Sequence, residues 1–181
     1  NNHFGGVEIA FVYPLEQPPS RDKTPKLLSP EWTRLMAFTK SQCDKLGLFC
    51  DFTFGSLWPF GGSMVSEKDA SQTFDGPSKQ RLRYSWESAY LDEPGFILNH
   101  LNKQALQRYS QKWGKALPPA LEGSISSLFC DSWEVETPQL WTKGFGERFE
   151  QKFCYDIRPF MTDIDANPHE RYDYRLSLIH I

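Results

Sequence analysis

The amino-acid sequence predicts an α/β fold with a mainly parallel sheet. Short apolar runs rich in β-branched and aromatic residues alternate with segments whose apolar residues recur every three or four positions. Glycine or proline punctuates the joins between them. Such alternation is the pattern of strands joined by crossover helices, and 181 residues with 39% hydrophobic content are enough to bury a core.

The first strand is Val7 to Tyr13, ended by Pro14 and followed by a polar, proline-rich loop from Glu16 to Lys26. Ser29 then offers a helix N-cap, Pro30 the first helical position and Glu31 a first-turn acid. Trp32, Leu35, Met36, Thr39, Cys43 and Leu46 keep helical spacing until Gly47. Leu48 to Phe54 reads as the second strand, closed by Gly55. A long irregular segment from Gly55 to Gly76 carries Trp58, Phe60, Gly61 and Gly62, aromatic where a loop is ordinarily polar. Arg81 to Tyr90 is the third strand, and Asn102 caps a helix bearing Ala105, Leu106, Tyr109 and Trp113 before Gly114. Ser126 to Cys130 is the fourth strand. A last helix starts at Thr142 with Phe145, Phe149 and Phe153 on one face.

Composition removes several function classes. Twenty Lys+Arg against 23 Asp+Glu leave a net charge of −3, which concentrates no positive potential for a nucleic-acid backbone. No run approaches the roughly 18 consecutive apolar residues of a membrane-spanning helix. Cys43, Cys50, Cys130 and Cys154 form no CxxC pair and read as buried or half-buried thiols. His3, His100, His169 and His180 lack metal-ligand spacing and read as surface or loop residues. There is no nucleophile elbow, phosphate-binding loop or HExxH, and Gly144-Phe145-Gly146 falls within a predicted helix rather than after a strand.

About four βα units are present, against the eight and at least about 200 residues of a complete (β/α)8 barrel. The expectation is therefore a partial barrel truncated at both ends, spanning residues 1–175. Residues 176–181 are expected to be a truncated strand or a non-native end. A doubly wound sheet fits the same alternation, although no strand is followed by its glycine-rich dinucleotide turn.

In either architecture, chemistry gathers beyond the C-terminal ends of the strands. Trp58 follows the second strand, Trp86 and Glu87 close the third, and Asp131, Ser132, Trp133 and Glu134 leave the fourth. A carboxylic acid against an apolar ring has a raised pKa and can serve as a general acid, while one in a polar setting stays ionised. The plainer reading makes Asp131 a turn cap, Glu134 a solvated loop acid and the tryptophans cover over the core. The sharper reading is sugar recognition, with ring faces packing on pyranose C–H faces and the backbone at Gly61 and Gly62 approaching a ligand.

Three segments in collinear order carry a resemblance over roughly Phe4 to Asp165: Phe4-Gly5-Gly6-Val7-Glu8-Ile9, the Gly-Ser-x-Trp-x-x-Gly-Gly loop at Gly55 to Gly62, and Phe129-Cys130-Asp131-Ser132-Trp133-Glu134-Val135 followed by Gln139-Leu140-Trp141-Thr142. Together they resemble the bacterial α-L-rhamnosidases of glycoside hydrolase family 106. Cys154 in Phe153-Cys154-Tyr155-Asp156 departs from the family, which carries glycine there. The resemblance implies an inverting glycoside hydrolase on a (β/α)8 barrel, exported to the periplasm or medium, acting on rhamnose-containing glycans with calcium at the sugar site. It gives Glu134 the general-acid role, with Glu136 as runner-up. It leaves the general base on a later strand outside these residues and the calcium ligands unassigned. Trp58, Trp86, Asp131, Trp133 and Glu136 are the candidate substrate contacts. The alternative is a non-catalytic carbohydrate-binding α/β domain using the same strand-end tryptophans, and a weaker third option is a purely structural domain.

Overall fold

The computed structural model describes residues 3–10, 25–55, 59–74, 80–82, 95–130 and 134–180. In chain order the elements are strand β1 (Gly6–Ile9), helix α1 (Pro30–Leu46), strands β2 (Phe49–Thr53), β3 (Gly61–Gly62), β4 (Gln72–Thr73), β5 (Gln80–Arg81) and β6 (Phe96–Ile97), helix α2 (Lys103–Ala116), strands β7 (Leu128–Phe129) and β8 (Leu140–Trp141), and helices α3 (Phe145–Phe153) and α4 (Pro168–His180). Three-residue 3-10 turns sit at Glu67–Asp69 and Pro118–Ala120, and a longer 3-10 segment, Arg158–Ala166, is kinked at Asp163.

The chain is mixed α/β, and among the described residues one parallel sheet is present, with the order β1-β2-β7. No barrel is present among the described residues. The predicted third strand does not join this sheet within those residues. Gln80–Arg81 pairs antiparallel with β4, which also pairs with β8, while 83–90 lie outside the described residues. A further antiparallel pair, β3 with β6, accounts for Gly61 and Gly62. The close backbone approach is at Gly95 and Gly62, since a Cβ on Gly95 would lie 1.9 Å from the Gly62 carbonyl carbon.

Helix termini follow their local chemistry. Ser29 Oγ accepts from Trp32 N at 3.2 Å, and Gly47 ends α1 in the left-handed region at φ 67°. Asn102 Oδ1 accepts from Gln104 N and Ala105 N at 3.0 and 3.2 Å, and α2 continues through Gly114 to Ala116. α3 begins at Phe145, three residues later than the sequence suggests, with Gly144 as its N-cap. Leu176 to His180 are the last turns of a helix rather than a strand.

Register partners in a sheet share a face, and here the two faces differ. Ile9, Cys50 and Phe52 point into a core built with Trp32 and Cys43 of α1 and Ala105, Tyr109 and Trp113 of α2. On the opposite face Phe49 and Phe129 are 62% and 43% exposed. Exposure alone does not separate the faces, since Val7 and Leu128 on the helix-bearing face are 44% and 48% exposed and Thr53 on the other is fully buried, but among the described residues the helices pack on the Cys50 and Phe52 face. A second core joins Phe74 and Trp141 to Phe145, Phe149, Ile157, Met161 and Tyr174. There the predicted aromatic stripe of α3 is core at Phe145 and Phe149, with Phe153 half-buried against it. Buried Asn99 links the two regions, its Nδ2 donating to Thr142 Oγ1 at 3.0 Å. Among the described residues no helix is long and apolar enough to cross a membrane.

Candidate functional site

The Phe49 and Phe129 face of β1-β2-β7 carries the polar groups that the parallel strands bring together. Glu8 and Asp51 are direct register partners on neighbouring strands, and Thr53 lies two residues beyond Asp51 on the same face. Thr53 is fully buried and its hydroxyl donates to Glu8 Oε1 at 2.7 Å. Asp51 Oδ1 accepts from the Ser127 amide at 2.6 Å, which ties β2 to the residue entering β7. Each carboxylate thus has one oriented hydrogen bond and keeps further lone pairs for a ligand hydroxyl. Reading each strand singly does not reveal this pair. The signal was present as a lone acid between apolar neighbours in Val7-Glu8-Ile9 and Cys50-Asp51-Phe52.

Of the residues proposed from sequence, Trp58, Trp86, Asp131 and Trp133 lie outside the described residues. Glu134 and Glu136 are exposed, and Glu134 follows the last residue of β7 by five positions. The aromatic loop residue Phe60 is core rather than ligand surface. It is 7% exposed, its ring lies 6.1 Å from Tyr109 at 9°, and His100 stacks on it at 5.5 Å. His100 lies in the turn between β6 and α2, as the loop reading allows, and is half-buried there, its Nδ1 is 2.7 Å from Leu98 O, and burial lowers its pKa.

The cysteines divide. Cys43 and Cys50 are buried, and burial together with the neighbouring Cys43 pushes the Cys50 thiol up to about 11. Cys130 and Cys154 are exposed, against the expectation of four buried or half-buried thiols. Cys154 follows the last residue of α3 and takes φ 64° there, the conformation glycine adopts most readily.

Two ion pairs brace the surroundings. Asp69 is 6% exposed and receives Arg108 through Nε at 2.9 Å and Nη2 at 2.5 Å, with Ser66 Oγ at 3.1 Å. The Arg108 guanidinium holds the Asp69 carboxyl below its ordinary range. Lys40, 1% exposed, donates to Asp44 Oδ1 at 2.8 Å and to Ser124 Oγ, and lowers the Asp44 pKa.

Calcium takes six to eight oxygen ligands. Among the described residues no group of three or more His, Cys, Asp or Glu could hold a metal ion. The Glu8 and Asp51 carboxylates with the Thr53 hydroxyl fall well short of that set, so no calcium ligands are assigned. Comparisons with models of known protein families, with curated proteins and with solved structures find no match to this chain.

Proposed function

We propose that this chain is the acid-bearing part of an α-L-rhamnosidase-like inverting glycoside hydrolase, with β1, β2 and β7 as three strands of a (β/α)8 barrel. One observation carries the reading. Among the described residues the helices pack on one face of the parallel sheet, and its other face carries Glu8, Asp51 and the buried Thr53 beside the strand whose exit leads to Glu134. A barrel wall likewise carries its helices on one side of parallel strands and its site residues at their C-terminal ends, which supports the reading. The resemblance to family 106 in the segments around Gly6, Gly55 and Asp131 supports the same reading.

In this mechanism Glu134 protonates the glycosidic oxygen as the bond to the departing alcohol breaks. A second carboxylate, on a strand outside these residues, removes a proton from the water that attacks the opposite face of the sugar. The two carboxyl groups of an inverting pair stand about 6.5–9.5 Å apart to admit that water. Trp58, Trp86 and Trp133 are the proposed ring platforms, Asp131 and Glu136 take sugar hydroxyls, and Glu8 and Asp51 extend that hydroxyl-binding face. The substrate class is rhamnose-containing oligo- or polysaccharide.

These residues alone are expected to be inactive, because the second carboxylate lies outside them, so the test follows an aryl α-L-rhamnoside by proton NMR in the presence of the full-length protein that carries both carboxylates. Release of rhamnose with inverted anomeric configuration is the expected result. Retained configuration would refute the inverting assignment. Saturable rhamnose binding without any release would favour the non-catalytic carbohydrate-binding domain.

A further inference from the structure

A polar cavity of about 470 Å³ lies away from the parallel sheet, between the antiparallel strands and the start of α3. Its floor is a row across the three-stranded sheet. Arg81, Gln72 and Trp141 are successive register partners on β5, β4 and β8, and all three line the cavity. Lys143 stands at the rim, two residues beyond β8, and Arg158 returns across the first turn of α3. Gly146 permits that return, because a Cβ there would lie 3.2 Å from Arg158 Cδ and 3.3 Å from the Trp141 ring.

The cations around this cavity are unequally neutralised. Arg158 is held by Asp156 at 2.7 Å, Glu147 at 3.3 Å and Glu150 at 3.5 Å, so its charge is largely offset. Arg81 and Lys143 have no ion pair among the described residues. The Nη1 of Arg81 is buried with no hydrogen-bond partner among the described residues. A buried guanidinium nitrogen without an acceptor is costly, and the usual remedy is a carboxylate or phosphate oxygen in the plane of the fork. The first turn of α3, which has no side-chain cap, adds partial positive charge on the same side.

We infer that this cavity is an oxyanion-binding site, in which Arg81 and Lys143 hold a carboxylate or phosphate group of a small polar ligand while Gln72, the Trp141 indole and Glu147, whose charge is turned to Arg158, line its remaining wall. The inference rests on the cavity alone and does not depend on the glycosidase reading.

Titration of the full chain with inorganic phosphate and, separately, with acetate tests it, by calorimetry and thermal melting at ionic strength held constant with sodium chloride. At least one anion should bind saturably and raise the melting temperature beyond chloride. Phosphate alone would identify phosphate chemistry, and acetate alone would identify carboxylate chemistry. Lys143→Gln and Arg81→Gln should each weaken that binding at least ten-fold, while Lys115→Gln on α2 should leave it unchanged. Lys143 is exposed, so its variant keeps the test decisive if the Arg81 variant fails to fold. Absence of saturable binding by either anion, or equal binding by wild type and Lys143→Gln, overturns the inference.

Discussion

Replacing Phe149 by alanine removes the centre of the second core. Its ring is fully buried, stacks on Phe153 with centroids 4.5 Å apart and meets Tyr155 edge-on at 5.2 Å. It also lies 6.4 Å from Phe145, which in turn contacts Tyr174 of α4 at 5.9 Å. Truncating a fully buried phenylalanine costs about 3–5 kcal/mol, the transfer of the ring plus the cavity left behind. The upper part of that range applies here, because the neighbours are rings held by their own backbones and close poorly into the space. For a domain of this size each kcal/mol lowers the melting temperature by about 2–4 °C, so a loss of about 4–5 kcal/mol should lower it by roughly 8–20 °C. Urea unfolding should show the midpoint dropping with an unchanged slope. Phe153→Ala, at the half-buried end of the same stripe, should cost clearly less. A loss below about 1 kcal/mol for Phe149→Ala would refute the placement of the α3 aromatic face in the core.

Asp69→Asn should destabilise by about 1–3 kcal/mol at pH 7, because the Arg108 fork loses its charged acceptor. The Asp69 carboxyl titrates below its ordinary value in the folded protein. Its contribution is therefore complete above the unfolded value of about 3.9 and fades as pH falls through the folded one. Urea midpoints for both proteins should converge in acid, and a difference that grows on acidification would contradict the assignment. Gly95→Ala should cost about 1–3 kcal/mol or more, since its Cβ would meet Gly62 backbone atoms at 1.9–2.4 Å. An unchanged melting temperature for that variant would remove the close approach of β3 and β6.

Legibility in the sequence tracks how local the determining physics is. α1 could be read from Ser29, Pro30 and Gly47 because caps act within a few residues, and the same holds for Asn102 and α2. The antiparallel pairs were hidden because two-residue strands such as Gly61–Gly62 and Gln72–Thr73 have no periodicity and exist through partners at Phe96–Ile97 and Leu140–Trp141. α4 was missed because its apolar residues form only a weak stripe, with Tyr174 and Ser177 buried and Tyr172 and Ile179 exposed. The site divides in the same way. Glu134 was visible as a strand-end acid, whereas the Glu8 and Asp51 pair depends on a register that joins residues 43 positions apart. Gly61 and Gly62 were legible as special backbone positions, but whether a ligand or another strand approached them was decided by tertiary structure.

The proposed general-acid role of Glu134 is the centre of the functional account. Its most direct test is the rate at which the full-length protein carrying Glu134→Gln, with the second carboxylate present, cleaves a rhamnoside with a poor alkyl leaving group. Removing the proton donor should slow that reaction by about 10²–10⁴-fold. A 4-nitrophenyl rhamnoside, whose leaving group needs little protonation, should lose far less. Cleavage of the alkyl rhamnoside at the wild-type rate would contradict the account.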